Sequence, residues 1–361
     1  MRTDVVIIGS GFAGAATAFH LSSSFSGSIL VIDKEPVPGF HASGRNASLV
    51  RHSVEVPEIR RIVAVSSKAY RQQQAETGFT PSGSLLLGTR DQLDAVRETT
   101  LIDSFYDDPE KVRQQIQLLR NHDFEAVLHT PSDGVMDIAR LLQFYLGKAQ
   151  GRGVRFSLDC MLTGVEGSGP FRLQTSQGQI EADYLINAAG AWAPAVARMA
   201  GAADLPLTPL KRHLFVLDTP ADLDSRWPFV WSLDQNFYFR PESGGLLFSV
   251  CDEEVSGELE PTVNPDISQA IVNLVWEQLP ALRETAQRHV WSCFRTISAD
   301  GSFVIGWDYK VDRFFWVAAL SGHGMGGSWG IGKLAAQQFM EPGSSGPHPC
   351  DPIRFAEVDN S

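Results

Sequence analysis

Residues 5–33 impose the tightest constraint on what this chain can fold into. Val5-Val6-Ile7-Ile8 is an unbroken β-branched run, the pattern of a parallel strand covered on both faces. It runs into Gly9-Ser10-Gly11-Phe12-Ala13-Gly14 and then a helical stretch from Ala15 to Leu21. Gly9 serves the tight turn, Gly11 leaves room for a pyrophosphate against the backbone, and Gly14 lets helix and strand pack closely. A second strand, Ser28 to Ile32, ends in Asp33, about 20 residues past the glycines, where a carboxylate grips a ribose hydroxyl. The glycine spacing alone is a weak signal. Strand, glycines, helix, strand and acid in that order read as a dinucleotide site with a helix N-terminus facing the phosphates. The competing reading is a glycine-rich turn that only packs, with Asp33 as a strand-end cap.

Asp33 disfavours a 2′-phosphate but does not separate NAD from FAD. The segment from Lys34 to Ser48 bears on that choice, because an NAD domain normally turns quickly into its next helix. Here a long loop of small residues with one Arg follows the acid, as expected of a wrap along a cofactor that stays bound. An exposed, mobile loop is the alternative.

Length sets the scale: 361 residues predict two domains, each large enough for a real interior. Hydrophobic residues at 43% and charged residues at 20% exclude a disordered chain. A net charge of −12 argues against a nucleic-acid surface, which needs a basic face. Cys160, Cys251, Cys293 and Cys350 lack CxxC spacing and fit reduced thiols better than disulfides or a metal site, so no metal is expected. No apolar run approaches the roughly 18–20 residues of a membrane span. The opening residues lack the apolar core and cleavage site of a secretory signal. The expected location is cytoplasmic, or peripheral at the inner face of a membrane.

Helical spacing runs from Pro57 to Ala75, and Gly83–Gly88 reads as a strand. Residues 91–125 predict one or two surface helices, the second opened by Asp107-Asp108-Pro109-Glu110. Asp133–Asp137 reads as a turn and N-cap before a helix from Ile138 to Gln150. Buried, nucleotide-type strands recur at Ala182–Asn187 and Phe314–Ala319, each followed by small residues and a helix. Residues 207–250 have β character, and 341–361 read as a loosely held tail. The interleaving predicts an α/β fold: a discontinuous, Rossmann-like cofactor domain with an interleaved α+β substrate domain on an antiparallel sheet. The expected boundaries are 1–79, 132–204 and 296–345 for the first, 80–131 and 205–295 for the second, and 346–361 for the tail.

VVIIGSGFAGAATAFHL with Asp33, the GFHASGRNAS loop, YLINAAGAW, and AALSGHGMGG before the last helix together resemble the D-amino-acid oxidase family of FAD-dependent oxidoreductases. Within it the chain is most similar to the bacterial D-amino-acid dehydrogenases of the D-arginine type, over roughly residues 1–340. The resemblance implies non-covalent FAD, and with it that the discontinuous Rossmann-like domain is an FAD-binding domain of the glutathione-reductase-like kind. Gly9, Gly11, Phe12, Ala13, Gly14, Asp33 and Lys34 would hold its ADP half. Ser43, Gly44, Arg45, Asn46, Ala47 and Ser48 would pass the pyrophosphate and reach the isoalloxazine. Ala188, Ala189, Gly190 and Trp192 would lie against the cofactor. Gly322, Gly324, Met325 and Gly326 would bring backbone N–H groups to the flavin's pyrimidine edge. No cysteine stands in that last loop, so the covalent tether of related sarcosine oxidases is not expected.

For substrate, the resemblance implies that Arg295 clamps an α-carboxylate bidentately, Tyr238 donates to the same group, and Arg212 faces the substrate. Arg51, His52, Ser84 and His323 are further pocket candidates. Leu49 and Val54 stand where this dehydrogenase type carries a His and a Tyr, and Ser84 replaces the acid that favours cationic substrates. Those departures point away from D-arginine and toward a smaller, apolar or acidic amine. The implied reaction is oxidation of the CH–NH group of an amino acid, a D-amino acid first, with hydride passing to flavin N5. The alternatives are a 2-hydroxy acid, an N-methyl amino acid of the sarcosine or glycine type, or a non-catalytic FAD-binding assembly factor. An electron acceptor, whether quinone, carrier or oxygen, completes the expected set of partners.

Overall fold

The computed structural model describes residues 1–100, 102–218, 223–255, 259–283, 285–341 and 348–356. The strand Arg2–Ile8 lies at its centre, pairing in parallel with Ile29–Ile32 on one side and Gly178–Asn187 on the other. Arg155–Ser157 extends the sheet beyond Ile29–Ile32, and Phe314–Ala318 extends it beyond Gly178–Asn187, again in parallel. Val304–Trp307 adds an antiparallel edge, Phe171–Thr175 pairs antiparallel with the start of Gly178–Asn187, and Leu162–Glu166 pairs in turn with Phe171–Thr175. Val5, Val6, Ile7 and the whole of Ile29–Ile32 are buried, as continuous apolar strands must be when both faces are covered.

One face carries the helices Phe12–Leu21, Ile138–Gln150 and Ser328–Met340, and the other carries Ala193–Ala200. The first and last of the three cross closely. A Cβ at Gly332 would come 2.5 Å from the backbone of Ala16, and one at Gly330 would come 2.5 Å from the carbonyl of Ile62. That contact sets where the loop ahead of Ser328 can lie.

The second sheet is mainly antiparallel. Leu207–Asp218 pairs along its length with Gln287–Ser298 and on its other side with Gly245–Ser249; Phe237–Glu242, Phe229–Ser232, Ser84–Gly88, Ala126–Thr130 and Phe105–Asp107 follow in order. The helices Pro109–Gln115 and Pro265–Gln278 close its far face through Val112, Ile271 and Val275. A three-stranded sheet of Leu49–Val50, Phe79–Thr80 and Gly134–Met136 joins the two regions.

Asp108 and Asp137 cap their helices as expected, each accepting a backbone N–H. The strand Phe105–Asp107 has no counterpart in the sequence reading, since three residues are too few to show a period. The helix expected over 57–75 breaks at Gln73 into Pro57–Gln72 and Gln74–Thr77. The tail is the larger correction. Residues 348–356 are docked: Cys350 is buried, its carbonyl accepts from Ile305 N at 2.8 Å, and Arg354 reaches both oxygens of Asp300 at 2.7 and 3.2 Å. Gly306 leaves the room, because a Cβ there would meet the Pro352 ring at 2.7 Å. Among the described residues no helix is long and apolar enough to cross a membrane, and no group of His, Cys, Asp or Glu is arranged to hold a metal ion.

His20 sits near the end of Phe12–Leu21, edge-on to Trp329 with ring centroids 5.1 Å apart. Burial, helped by Lys333 and Arg152, pushes its pKa down to about 4. The unfolded chain protonates this side chain near pH 6.5, so the folded state loses stability as pH falls through the interval from about 6.5 to about 4. His20→Phe is expected to flatten the fall of Tm across that interval relative to wild type, measured by thermal melts from pH 7 to pH 4.

Candidate functional site

The loops that follow four parallel strands open into one long cavity of about 450 Å³. After Arg2–Ile8, Gly9 turns the chain with φ +105°, a conformation that costs other residues energy, and a Cβ there would lie 2.5 Å from the carbonyl of Ala188. Gly14 is tighter still: a Cβ would fall 1.9 Å from the carbonyl of Gly9. Gly14 therefore serves packing and does not line the cavity, whereas Gly9, Gly11, Phe12 and Ala13 do.

Asp33 ends the second strand with one carboxylate oxygen accepting from Ser10 N at 2.7 Å and Ser10 Oγ at 2.6 Å. The other oxygen accepts from Glu35 N at 3.0 Å. Lys34 Nζ stands 3.9 Å from the centre of the Trp192 ring, and His41 packs against the same ring at 4.4 Å while its Nε2 meets Glu35 at 2.7 Å. Burial lowers the His41 pKa in spite of Glu35. Ala188, Ala189 and Gly190 complete this end, and Asn187 holds their turn by donating to Ala193 O at 2.8 Å.

Residues 43–48 fold back along the cavity. Ser43 Oγ accepts from Phe12 N at 2.9 Å, and Asn46 bonds to Ser43 O and Ser48 N. The second sheet clamps this loop from outside: Trp291 Nε1 donates to Arg45 O at 2.8 Å and Arg240 Nε to Ala47 O at 2.7 Å. Ser43, Arg45, Asn46 and Ala47 line the cavity. Gly44 and Ser48 do not: a Cβ at Gly44 would meet Gly39 O at 2.6 Å, and Ser48 is buried in a left-handed turn.

At the other end the loop ahead of Ser328–Met340 brings in Gly322, His323, Gly324, Met325 and Gly326. The backbone N–H groups of Gly324, Met325 and Gly326 have no hydrogen-bond partner among the described residues, although Met325 itself is buried. Unpaired donors turned to a cavity are an arrangement made for an acceptor-rich ligand.

Opposite them stand residues of the second sheet. Arg212 and Arg295 share a face because Leu207–Asp218 pairs with Gln287–Ser298 at Arg212↔Cys293 and Leu210↔Arg295. Arg212 is anchored, donating to Cys251 O at 2.9 Å, Asp252 O at 3.1 Å and Glu253 Oε1 at 3.1 Å. Arg295 makes no side-chain hydrogen bond among the described residues; its nearest carboxylate is Glu253 at 3.8 Å. Burial and the Arg212 charge lower its pKa, and a bound anion would relieve both. Gly322 permits this placement, since a Cβ there would lie 2.6 Å from the guanidinium. The buried Tyr238 has its phenol pKa raised by burial, so it stays a proton donor. Burial pushes the Cys293 thiol up to about 11, which keeps it protonated. His323 is held well below the usual histidine range by burial and by Arg51, Arg295 and Arg212.

Two of the expected pocket residues lie elsewhere. His52 and Ser84 turn away from the cavity onto the buried Asp133: His52 Nδ1 meets Asp133 Oδ1 at 2.5 Å, and Ser84 Oγ donates to Oδ2 at 2.6 Å. These bonds tie the central three-stranded sheet to the second sheet. Trp231 and Glu253 are the residues sequence reasoning missed. Trp231 is brought in by parallel pairing of Phe229–Ser232 with Ser84–Gly88, a contact with no local sequence signal.

A model of the FAD dependent oxidoreductase family matches residues 4–338. The chain belongs to that family. The residues above fit FAD, with a carboxylate and an aromatic ring at one end and unpaired backbone donors at the other. The chain is 26% identical over 374 residues to the mitochondrial dimethylglycine dehydrogenase of Rattus norvegicus, covering 94% of itself and 43% of that protein. It is 25% identical to the mitochondrial sarcosine dehydrogenase of Homo sapiens, covering 93% of itself and 39% of that relative. It thus spans less than half the length of these curated relatives. Among solved structures, L-proline dehydrogenase from P. horikoshii shares the fold with a TM-score of 0.88 at 20% identity, over 99% of this chain and 98% of that one. The relatives correct the D-arginine dehydrogenase expectation: the family holds, but this likeness runs to dehydrogenases of N-methylated glycines.

Asp133→Ala would leave His52 and Ser84 buried without their partner, an unsatisfied pair worth about 3 kcal/mol. Urea unfolding is expected to show that loss. If the His52–Asp133–Ser84 cluster instead served substrate, kcat/KM would fall with the urea midpoint unchanged.

Proposed function

We propose that this FAD enzyme oxidises the C–N bond of a small amino acid whose nitrogen carries a further carbon, as in sarcosine or dimethylglycine. The observation that carries the reading is Arg295: a guanidinium with no hydrogen-bond acceptor among the described residues, facing the same cavity as the Tyr238 hydroxyl and the unpaired N–H groups of Gly324–Gly326. A planar guanidinium and a phenol together make a socket for one carboxylate. Bound FAD supplies the acceptor for the hydride that leaves the carbon attached to nitrogen. The protein orients that carbon by holding the carboxylate, and the Gly324–Gly326 amides would hold the flavin when it is bound. His323, kept uncharged at neutral pH by burial and the neighbouring arginines, adds no positive charge beside the substrate amine. Water then hydrolyses the imine to a carbonyl compound and an amine.

In this reading, segments 1–79, 132–204 and 296–345 hold the cofactor, and 80–131 with 205–295 supply the substrate cover. The names of the curated relatives support the N-alkylated substrate. A D-amino acid has weaker support, because Leu49 and Val54 occupy the positions of the His and Tyr that mark that group.

Arg295→Met is expected to lower kcat/KM for sarcosine or dimethylglycine by about 10²–10³, from loss of a charged bidentate contact. Steady-state kinetics with either substrate checks this, and a variant with wild-type kcat/KM on every amino acid removes Arg295 from the site. Acid precipitation of the yellow protein is expected to release the flavin into the supernatant; colour that stays with the pellet would show a covalent bond.

A further inference from the structure

Beside the carboxylate socket lies a second guanidinium with nothing to bind. Arg51 lines the main cavity and an adjoining one of about 520 Å³, and its side chain is 14% exposed. Its guanidinium stacks on Trp231 at 4.2 Å, and Trp231 packs against Tyr238 with ring centroids 4.8 Å apart. Among the described residues it makes no hydrogen bond. Its one carboxylate neighbour is Glu55 at 4.0 Å, on a side chain 82% exposed, a pairing that contributes little.

Other arginines of the chain show what a structural role looks like. Arg60 donates to Val54 O and Glu55 O, Arg240 to Ala47 O and Pro241 O, and Arg212 to Cys251 O and Asp252 O. Arg51 and Arg295 lack such bonds, and both face the cavity. The charge balance points the same way. Arg51, Arg212 and Arg295 converge on His323, which stays uncharged, and the acids near them among the described residues are the exposed Glu55, the half-exposed Glu253 and Asp252, whose carboxylate is already held by His213. A single carboxylate leaves this poorly solvated end with uncompensated positive charge, which is costly at low dielectric.

We infer that the substrate carries two carboxylates on one amine, the first on Arg295 and Tyr238 and the second on Arg51 above Trp231. The inference rests on the amine-oxidising reading and narrows it to N-carboxyalkyl amino acids. Arg51 selects among amines; Arg295 is needed for all of them.

The test uses the FAD-loaded protein. Anaerobic flavin bleaching with iminodiacetate is expected to be at least about 30-fold more efficient than with sarcosine. In Arg51→Gln that preference is expected to fall about 30-fold, to near parity, as one partner of a desolvated charge pair is lost. Equal efficiency with the two amines in wild type, or a preference unchanged in Arg51→Gln, overturns the proposal. A second measurement needs no turnover: malonate is expected to perturb the flavin spectrum at concentrations about 100-fold below acetate. Malonate binding no tighter than acetate also counts against two acid sites. If malonate binds tightly but no amine bleaches the flavin, the two-acid site stands and the amine-oxidation reading fails. If sarcosine bleaches and malonate shows no preference, the reverse holds.

Discussion

Parallel pairing of Arg2–Ile8 with Gly178–Asn187 is the contact on which the rest of the molecule depends. With Ile29–Ile32 on the other side it puts the C-terminal ends of three strands in one row, and Phe314–Ala318 joins them beyond Gly178–Asn187. Loops that leave strand ends in a row open on the same side, which is where ligands bind in sheets of this kind. Gly9 then lets the turn lie against the carbonyl of Ala188, and Gly14 lets the next helix lie against the carbonyl of Gly9, at distances that any side chain would block.

The second sheet is held against the first. Trp291 and Arg240 pin the carbonyls of Arg45 and Ala47, so the loop of residues 43–48 and the second sheet share one set of hydrogen bonds. Arg295 is placed from the other direction by the space that Gly322 leaves in the loop ahead of the last helix. The two ends of the cavity are thus fixed against each other. Electrostatics then sets the character of the site: three arginines converge in a chain whose net charge is −12, so the cationic spot is local and contrasts with the whole. Such a contrast draws anions to one place on an otherwise repelling surface.

How much of this was legible in the sequence varied with distance along the chain. The glycine turn, the caps at Asp108 and Asp137, and the later nucleotide-type strands all follow from residues within a turn or two of one another, and the structure has these elements as read. Arg212 and Arg295 are marked out by family resemblance alone, since nothing local distinguishes them from surface cations. The misplaced residues are informative. His52 and Ser84 are 32 positions apart and meet at Asp133, so no local pattern could show that they satisfy a buried carboxylate instead of facing a substrate. The docked tail was missed for a like reason: its Pro, Gly and Ser content reads as loose, but its anchor is the space over Gly306.

The sequence by itself determined that a βαβ unit would form and that a dinucleotide would lie across its turn, because glycine conformations, β-branched runs and a strand-end acid act over short separations. It determined the class of cofactor chemistry through motifs strung in order along the chain. The tertiary structure alone decided which cations face the site. That choice rests on the register between Leu207–Asp218 and Gln287–Ser298 and on Phe229–Ser232 settling beside Ser84–Gly88. A strand shifted by one residue turns every side chain to its opposite face, and register is set by the packing of distant segments.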